Sequence, residues 1–375
     1  MIVVAGMHRA GTSVVARGLL ALGADLGDSL MSADVRMNAK GFFEDVDIVE
    51  LDDALLETCG ADWKNLAILD DVDWTAPRHA AARDAARRLL EVKLARSGQF
   101  AFKDPRVPRL LPFWQAVFAE LAFADAYVIA VRHPQAVVDS LRTRDGLDER
   151  RCAWLWLTHL VCALRYTQGR RRVVVDYDRL IASPATEVAR MGRALEFGQA
   201  PDDPSSLATY ERDFISPALR HAEYPAGLLA APYLPPGAAG VHALAQRLAA
   251  DESDPDDPAV QEEVDAHFRA LMAFGPLLAY AGSVERAADA LPTIAGELAW
   301  ARSSLAEASD YVGAAIGPKD EYIADLTREL ARKDSELVAA HALLDKLTKD
   351  LQDAYALLDR LRQDLVGRLL LRRLR

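Results

Sequence analysis

Cysteine is scarce in this chain of 375 residues, and its three positions, Cys59, Cys152 and Cys162, lie far apart. No two of them have the C-x-x-C spacing that zinc sites and dithiol redox sites use. An odd number of cysteines without a regular pattern also argues against the disulfide framework of a small secreted domain. We therefore expect a chain with reduced thiols and no bound metal.

Basic charge and long apolar runs are also in short supply. Lysine and arginine number 44 against 56 aspartate and glutamate, which leaves a formal net charge of −12. Such a chain offers a nucleic-acid partner little electrostatic support. The chain opens with MIVVAG, without the basic segment and apolar run of a signal peptide, and no stretch is long enough to span a bilayer. These absences predict a cytoplasmic protein.

Short apolar runs rich in β-branched residues predict four buried strands, at residues 1–5, 100–102, 127–131 and 172–175. Each run leads into a segment with a helical pattern. After the first run a helix is expected to begin at Thr12, since Val15, Leu19 and Leu22 then share one face. Strands that alternate with helices imply an α/β fold with a mostly parallel sheet.

A heptad pattern occupies the C-terminal segment. Ile323 and the leucines at 330, 337, 344, 351, 358 and 365 recur every seven residues, with companion positions at 326, 333, 340, 347, 354 and 361. The pattern predicts a left-handed coiled coil at residues 319–375 and, through it, a homo-oligomer. The alternative is one amphipathic helix packed on its own domain. The last residues, LLLRRLR, fit a frayed basic helix end, the alternative being weak contact with an anionic membrane surface.

The most informative stretch is GMHRAGTS at residues 6–13. Two glycines between a buried strand and a helix let the backbone wrap an anion, toward which N–H groups and the helix N-terminus point. The spacing matches the start of a Walker A loop, but Thr12 stands where that loop carries lysine. The cation lies inside the loop instead, at Arg9, which favours a terminal group with less charge than a triphosphate.

GMHRAGTS resembles the 5′-phosphosulfate loop of sulfotransferases that use 3′-phosphoadenosine 5′-phosphosulfate (PAPS), in particular a bacterial branch that reads G-M-H-R-S-G-T-S. The resemblance implies a P-loop-like, three-layer catalytic domain at residues 1–225, followed by a helical extension at 226–318 and the coiled coil at 319–375. It implies that Arg9, Gly11, Thr12 and Ser13 hold the 5′-phosphate and sulfuryl group, without a metal. Ala10 replaces the usual serine, so slightly weaker donor binding is expected.

The resemblance also implies a second donor element. Sulfotransferases read the 3′-phosphate with an arginine at a strand end and a serine eight residues later, and here Arg132 is followed by Ser140. Arg132 supplies a bidentate fork for phosphate, and Ser140 adds a neutral donor. A strand that ends in arginine argues against a Walker B site. Asp176, which resembles such a site, is interpreted as the start of a helix.

Sulfuryl transfer needs cations on the transferred group and the bridging oxygen, and a base for the acceptor proton. Arg9 is the first candidate cation. Lys103 is the second, because it follows a core strand in the run KDPR, and similar elements lie beside the sulfuryl group in several branches of the family. Arg106 of the same run either holds the acceptor or pairs with Asp104.

Glu44 is the preferred catalytic base, because the run GFFE at residues 41–44 is characteristic of this branch. Asp45, which also suits a helix N-cap, and His8 are the rival bases. Arg220 and His221 are interpreted as a basic pair at a helix end, the alternative being contact with donor or acceptor.

The expected activity is transfer of a sulfuryl group from PAPS to a hydroxyl or amine, with a carbohydrate or glycolipid as the acceptor that family analogy suggests. One alternative is a P-loop kinase that uses Mg-ATP on a small molecule, which the missing lysine disfavours. The other is a degenerate nucleotide-binding head on a coiled-coil scaffold.

Overall fold

A computed structural model describes residues 1–32, 41–197, 204–215, 224, 231–315 and 320–373. The chain divides into two compact units, Met1–Gly275 and Pro276–Arg375. The central sheet and the pocket beside it belong to the first unit. The three-part division expected from the sequence stays a prediction.

Four short parallel strands form the centre of the first unit: β1 (Ile2–Ala5), β2 (Ala101–Lys103), β3 (Ala126–Val131) and β4 (Arg171–Asp176). Their order across the sheet is β2-β1-β3-β4. In register, Ile2 of β1 lies beside Ala101 of β2 and Ala126 of β3. All four predicted strands and their parallel arrangement are confirmed, with ends that agree to within about two residues.

Helices make up most of the remaining described chain. Those of the first unit are α1 (Thr12–Ala21), α2 (Val46–Thr58), α3 (Ala80–Arg96), α4 (Val107–Glu120), α5 (Pro134–Asp145), α6 (Glu149–Tyr166), α7 (Tyr177–Ala182), α8 (Pro184–Ala194), α9 (Pro204–Thr209), α10 (Ala238–Ala249) and α11 (Pro258–Met272). A 3-10 turn at Pro77–His79 precedes α3, and a π-helical turn at Tyr210–Phe214 follows α9. Helix α1 begins at the predicted residue, Thr12.

The pleat of the sheet divides its side chains between two apolar clusters. Val4 of β1 and Val128 of β3 belong to a cluster built with α1, α7 and α8. Val3 and Tyr127, one position away on the same strands, belong to a cluster built with α2, α3 and α4. Helices therefore cover both faces of the sheet, and the chain has the expected three layers of helix, sheet and helix.

The carboxyl ends of the strands bring the chemically interesting segments together. The loop before α1 follows β1, Lys103 ends β2, Arg132 follows β3, and Tyr177 follows β4. Because parallel strands all point the same way, these four positions meet at one edge of the sheet. Asp176, at the end of β4, caps α7 by accepting a hydrogen bond from the Arg179 N–H at 2.9 Å, as its interpretation as a helix start requires.

The second unit consists of α12, which starts at Gly275 and ends at Ala315, and α13 (Asp320–Arg373). The two helices run antiparallel. The Tyr280 hydroxyl donates to Asp350 Oδ2 at 3.3 Å, and Arg302, farther along α12, pairs with Asp334, which comes earlier in α13. None of the described helices is both long enough and apolar enough to cross a membrane.

A half-buried face of α13 follows the predicted heptad seam as far as residue 351. One companion position differs. Lys333 is exposed, and Asp334 occupies the half-buried face instead, because its carboxylate reaches Arg302 of α12. The seam positions 354, 358, 361 and 365 lie outside the described side chains. The coiled coil and the homo-oligomer stay predictions.

Candidate anion-binding pocket

A pocket opens at the carboxyl edge of the sheet. Seven of the eight predicted site residues line it: Arg9, Gly11, Thr12, Ser13, Glu44, Lys103 and Arg132. The eighth, Ser140, contacts Arg9 directly, as described below. Residues from four separate stretches of sequence therefore share one site.

The loop before α1 has the backbone shape of an anion cradle. Arg9 and Gly11 both have positive φ, of 68° and 92°. Position 11 needs glycine for two reasons. An added Cβ would lie 2.4 Å from the Tyr177 ring, and the backbone there has a left-handed conformation that other residues rarely adopt. Gly11 is the N-cap of α1, and no side chain caps that helix. The N-terminal end of α1, where the helix dipole is positive, therefore meets the pocket without a side-chain cap.

Arg9 joins the loop to the second predicted donor element. Its Nε donates to Ser140 Oγ at 2.7 Å, across 131 residues of sequence. Arg132 approaches from β3, where its Nη1 donates to the Arg9 carbonyl oxygen at 3.2 Å and its guanidinium lies 4.2 Å from the centre of the Tyr177 ring. The two elements that the sequence marked separately are therefore in contact.

Positive charge dominates the pocket. The described lining residues include four cations, at positions 9, 103, 132 and 144, and one carboxylate, Glu44. The pKa of Arg9 is lowered, first by burial and then by the positive charges of Arg144 and Arg132. Guanidinium groups that repel one another in a partly buried site gain stability when an anion binds between them.

Lys103 and Glu44 form a buried ion pair inside this pocket. Their exposed fractions are 2% and 4%. The Lys103 ammonium also donates to the Phe42 carbonyl oxygen at 2.9 Å and to Ser13 Oγ at 3.4 Å. An ammonium has three N–H bonds, so these acceptors use all of them. Lys103 can therefore reach a new anion only by giving up one of its present partners.

Asp45 has a structural place outside the pocket. Its carboxylate accepts a hydrogen bond from the Asp47 N–H at 3.2 Å as the N-cap of α2, and its other oxygen lies 2.6 Å from the Lys93 ammonium. Burial raises the pKa of Asp45, and the Lys93 contact opposes that rise. Because Asp45 is committed to these two contacts, it is a poor rival to Glu44.

Of the two roles that the sequence left open for Arg106, the structure shows the ion pair with Asp104. Its Nη1 lies 2.9 Å from Asp104 Oδ1, and its Nε lies 2.5 Å from Asp53. Arg220 and His221 lie outside the described residues.

His8 lies in the pocket wall with its ring 4.5 Å from that of Trp63. Burial lowers its pKa well below 6.5, and the nearby charge of Arg144 lowers it further. Its buried Nε2 has no hydrogen-bond partner within the described part of the chain. The imidazole is thus neutral near pH 7 and keeps one polar atom uncommitted.

Sequence reasoning missed Arg144 and Trp63. Arg144 follows Ser140 by four residues on α5, so the two side chains share a helix face. That spacing was a usable signal. No motif marks Trp63, which packs on the lining residues His8 and Arg144 from a loop after α2. Within the described residues, no group of three His, Cys, Asp or Glu side chains is arranged to hold a metal ion.

Comparison with known proteins gives similarity in structure alone. No family model matches the sequence, and no curated protein matches it. Two sulfotransferase domains are among the solved structures that resemble the chain. The "Sulfotransferase Domain from the Curacin Biosynthetic Pathway" has 17% identity and a TM-score of 0.35, over 56% of this chain and 77% of that one. The "Sulfotransferase Domain from the Synechococcus PCC 7002 Olefin Synthase" has 18% identity and a TM-score of 0.32, over 59% and 82%. At such low scores, inferences about function rest on the residues of the pocket.

Proposed function

We propose that the chain is a sulfotransferase that moves a sulfuryl group from PAPS to a hydroxyl or amine acceptor. The observation that carries the proposal is the hydrogen bond between Arg9 and Ser140. It joins two elements that the sequence separately predicts to bind the two ends of one nucleotide. The excess of pocket cations over carboxylates supports an anionic donor of this kind.

The residues present fit a donor with two phosphate groups. In this proposal the uncapped N-terminus of α1, with Arg9, Thr12 and Ser13, binds the 5′-phosphate and the sulfuryl group. Arg132 and Ser140 bind the 3′-phosphate, with Arg132 as a bidentate donor. A terminal group with one negative charge needs no lysine after Gly11 and no acidic residue for Mg²⁺.

Glu44 and Lys103 have complementary tasks in this proposal. Glu44 takes the proton of the acceptor hydroxyl or amine as the new bond to sulfur forms. Lys103 and Arg9 stabilise the bridging oxygen as its bond to sulfur breaks and adenosine 3′,5′-bisphosphate leaves. Because Lys103 now pairs with Glu44, donor binding has to draw the ammonium away and thereby release the carboxylate.

Replacing Glu44 by glutamine separates these two tasks. We expect Glu44→Gln to bind adenosine 3′,5′-bisphosphate at least as tightly as wild type, because Lys103 loses a competing partner. We expect its sulfuryl transfer to fall by about 10²–10⁴-fold, as for loss of a general base. Release of adenosine bisphosphate from PAPS measures the rate. Full activity of the variant would remove Glu44 from the mechanism.

Nucleotide preference tests the proposal as a whole. Calorimetry with adenosine 3′,5′-bisphosphate, ATP and ADP, each in EDTA and in Mg²⁺, compares the candidate functions directly. We expect the bisphosphate to bind without metal and more tightly than ATP. Binding of ATP only with Mg²⁺ would favour the kinase. Binding of the bisphosphate without any turnover of PAPS would favour the scaffold.

A further inference from the structure

Arg144 carries a cationic group that the proposed donor contacts do not use. It lies near the end of α5 and lines the pocket with an exposed side-chain fraction of 15%. Its Nε pairs with Asp145 Oδ2 at 2.7 Å. Within the described residues, its two terminal nitrogens have no hydrogen-bonding partner. A guanidinium fork held at its Nε thus presents two donors to the pocket.

Two further side chains surround this guanidinium. The Trp63 ring centre lies 5.6 Å from the Arg144 guanidinium and 4.5 Å from the ring centre of His8. The uncommitted Nε2 of His8 is a second polar group in the same corner of the pocket. An aromatic surface beside a guanidinium and an imidazole suits a ligand that has both a ring and an anionic group.

The loop that carries Trp63 is held by two buried arginines. Arg109, which is 1% exposed, donates to the carbonyl oxygens of residues 62, 65 and 67 at 2.7, 2.7 and 3.3 Å. Arg151 donates to the Lys64 carbonyl oxygen at 3.0 Å. Burying a guanidinium is costly, but these hydrogen bonds offset that cost and hold the loop that carries Trp63. Trp63 is therefore held in place by contacts within the chain.

Arg144 has a different aromatic partner from Arg132, although its charge is close enough to Arg9 to lower the pKa of Arg9. Arg9 bonds to Ser140, and Arg132 stacks on Tyr177, whereas Arg144 packs on Trp63. Arg144 and His8 are close enough for the arginine charge to lower the histidine pKa. Arg144 and His8 both pack on Trp63 of the loop at residues 62–67, whereas Arg132 packs on Tyr177.

We propose that Arg144, His8 and Trp63 form an acceptor subsite that selects an acceptor with a carboxylate or phosphate group near the hydroxyl to be sulfated. Arg144 binds the anionic group, Trp63 supports the ring of the acceptor, and His8 contacts a neighbouring hydroxyl. That the ligand of this subsite is the acceptor rests on the proposed function. The preference of the subsite for a negatively charged ligand does not depend on it.

Binding of three matched sugars tests the subsite without turnover. The probes are methyl glucuronide, which carries a carboxylate, glucose 6-phosphate, and neutral methyl glucoside. The readout is the indole N–H signal of Trp63 in ¹⁵N-labelled protein, assigned by its loss in Trp63→Phe. Titrations are made with and without saturating adenosine 3′,5′-bisphosphate. We expect at least one charged probe to bind about tenfold more tightly than the neutral one.

Variants on α5 show whether Arg144 is responsible. We expect Arg144→Ala to abolish the preference for the charged probe, and Arg144→Lys to retain part of it for phosphate. Arg142→Ala is the matched control. It removes the same charge two residues earlier, from a side chain that is 51% exposed and pairs with Glu149 outside the pocket lining. This control should bind all three sugars as wild type does.

Three results would overturn the subsite: no probe shifts the Trp63 signal, charged and neutral probes bind equally, or Arg144→Ala weakens adenosine bisphosphate binding as much as Arg9→Ala. The last result would make Arg144 a donor ligand. A charge preference that depends on Arg144, in a chain that does not bind adenosine bisphosphate, would support the subsite and contradict the sulfotransferase proposal.

Discussion

Two buried lysines of the first unit lie in opposite electrostatic surroundings. Lys93 is 4% exposed, and its ammonium lies 2.6 Å from Asp45, 3.1 Å from Asp47 and 3.4 Å from Asp28. Lys103 is 2% exposed and pairs with one carboxylate, Glu44, in a pocket that holds three arginines as well. Carboxylates outnumber the cation in the first case, and cations outnumber the carboxylate in the second.

The difference separates a structural cluster from a binding site. Burial alone lowers the pKa of Lys93, but hydrogen bonds and charge interactions with Asp45 and Asp47 outweigh it and the net shift is upward. The positive charge of Lys93 is therefore balanced by carboxylates of the chain itself. The described lining of the pocket holds four cations and one carboxylate, so an external anion adds charge of the sign in shorter supply.

Replacing Lys93 by methionine breaks the complete cluster and should give the largest effect on stability. The variant leaves the fully buried Asp45 carboxylate without its cation, which costs about 3 kcal/mol in free energy of unfolding. Urea denaturation measures the loss. Arg96→Ala, which removes an exposed partner of Asp28, is the control and should cost much less. Equal losses in the two variants would contradict the distinction between buried and exposed pairs.

Replacing Arg132 by alanine removes one of the cations from the pocket and should weaken nucleotide binding. We expect adenosine 3′,5′-bisphosphate to bind about tenfold to a hundredfold more weakly, the scale for loss of a charge-assisted contact. The unliganded variant should keep or raise its thermal midpoint, because Arg9 loses a repelling neighbour. Arg9→Ala should behave in the same way. A lower midpoint together with unchanged nucleotide binding would make these arginines structural.

Lowering the pH tests whether the first unit can accommodate more positive charge on its buried side chains. Burial lowers the pKa of His159 to about 3, with Arg109 adding to the effect, and burial lowers that of His242 to about 4, with His133 adding to it. Both are neutral when folded but bind a proton near pH 6.5 when unfolded, so stability is full above that pH and falls below it. We expect each of these two histidines to lower the free energy of unfolding by about 2 kcal/mol at pH 5.

Unfolding curves at pH 7.5 and pH 5 measure this loss. His159→Gln should reduce the difference in stability between the two pH values, because it removes one of the buried histidines that resist protonation in the folded state. A pH difference that is the same in wild type and variant would show that His159 does not contribute.

Much of the fold was predictable because its signals are local. The four strands are short β-branched runs, and α1 begins at the predicted Thr12 because glycine ends the loop before it. The spacing of Arg132 and Ser140 reflects a strand end followed by less than two helical turns. Each of these patterns lies within about ten residues of sequence.

The partners of site residues could not be predicted from local patterns. The sequence marked Lys103 and Glu44 separately, but it did not indicate that they pair across 59 residues. Trp63 packs on His8 and Arg144 of the pocket lining from a loop that arginines of α4 and α6 hold. Likewise, Asp334 replaces Lys333 on the seam of α13 because Arg302 of α12 lies opposite. All three depend on packing between distant segments.

A crystal structure of the chain with adenosine 3′,5′-bisphosphate, grown in EDTA, tests the central claim most directly. We expect the 5′-phosphate at the N-terminus of α1 and the 3′-phosphate between Arg132 and Ser140. The Arg9–Ser140 hydrogen bond should then be replaced by contacts to phosphate. A nucleotide bound elsewhere, with the hydrogen bonds of Arg9, Arg132 and Ser140 unchanged, would contradict it.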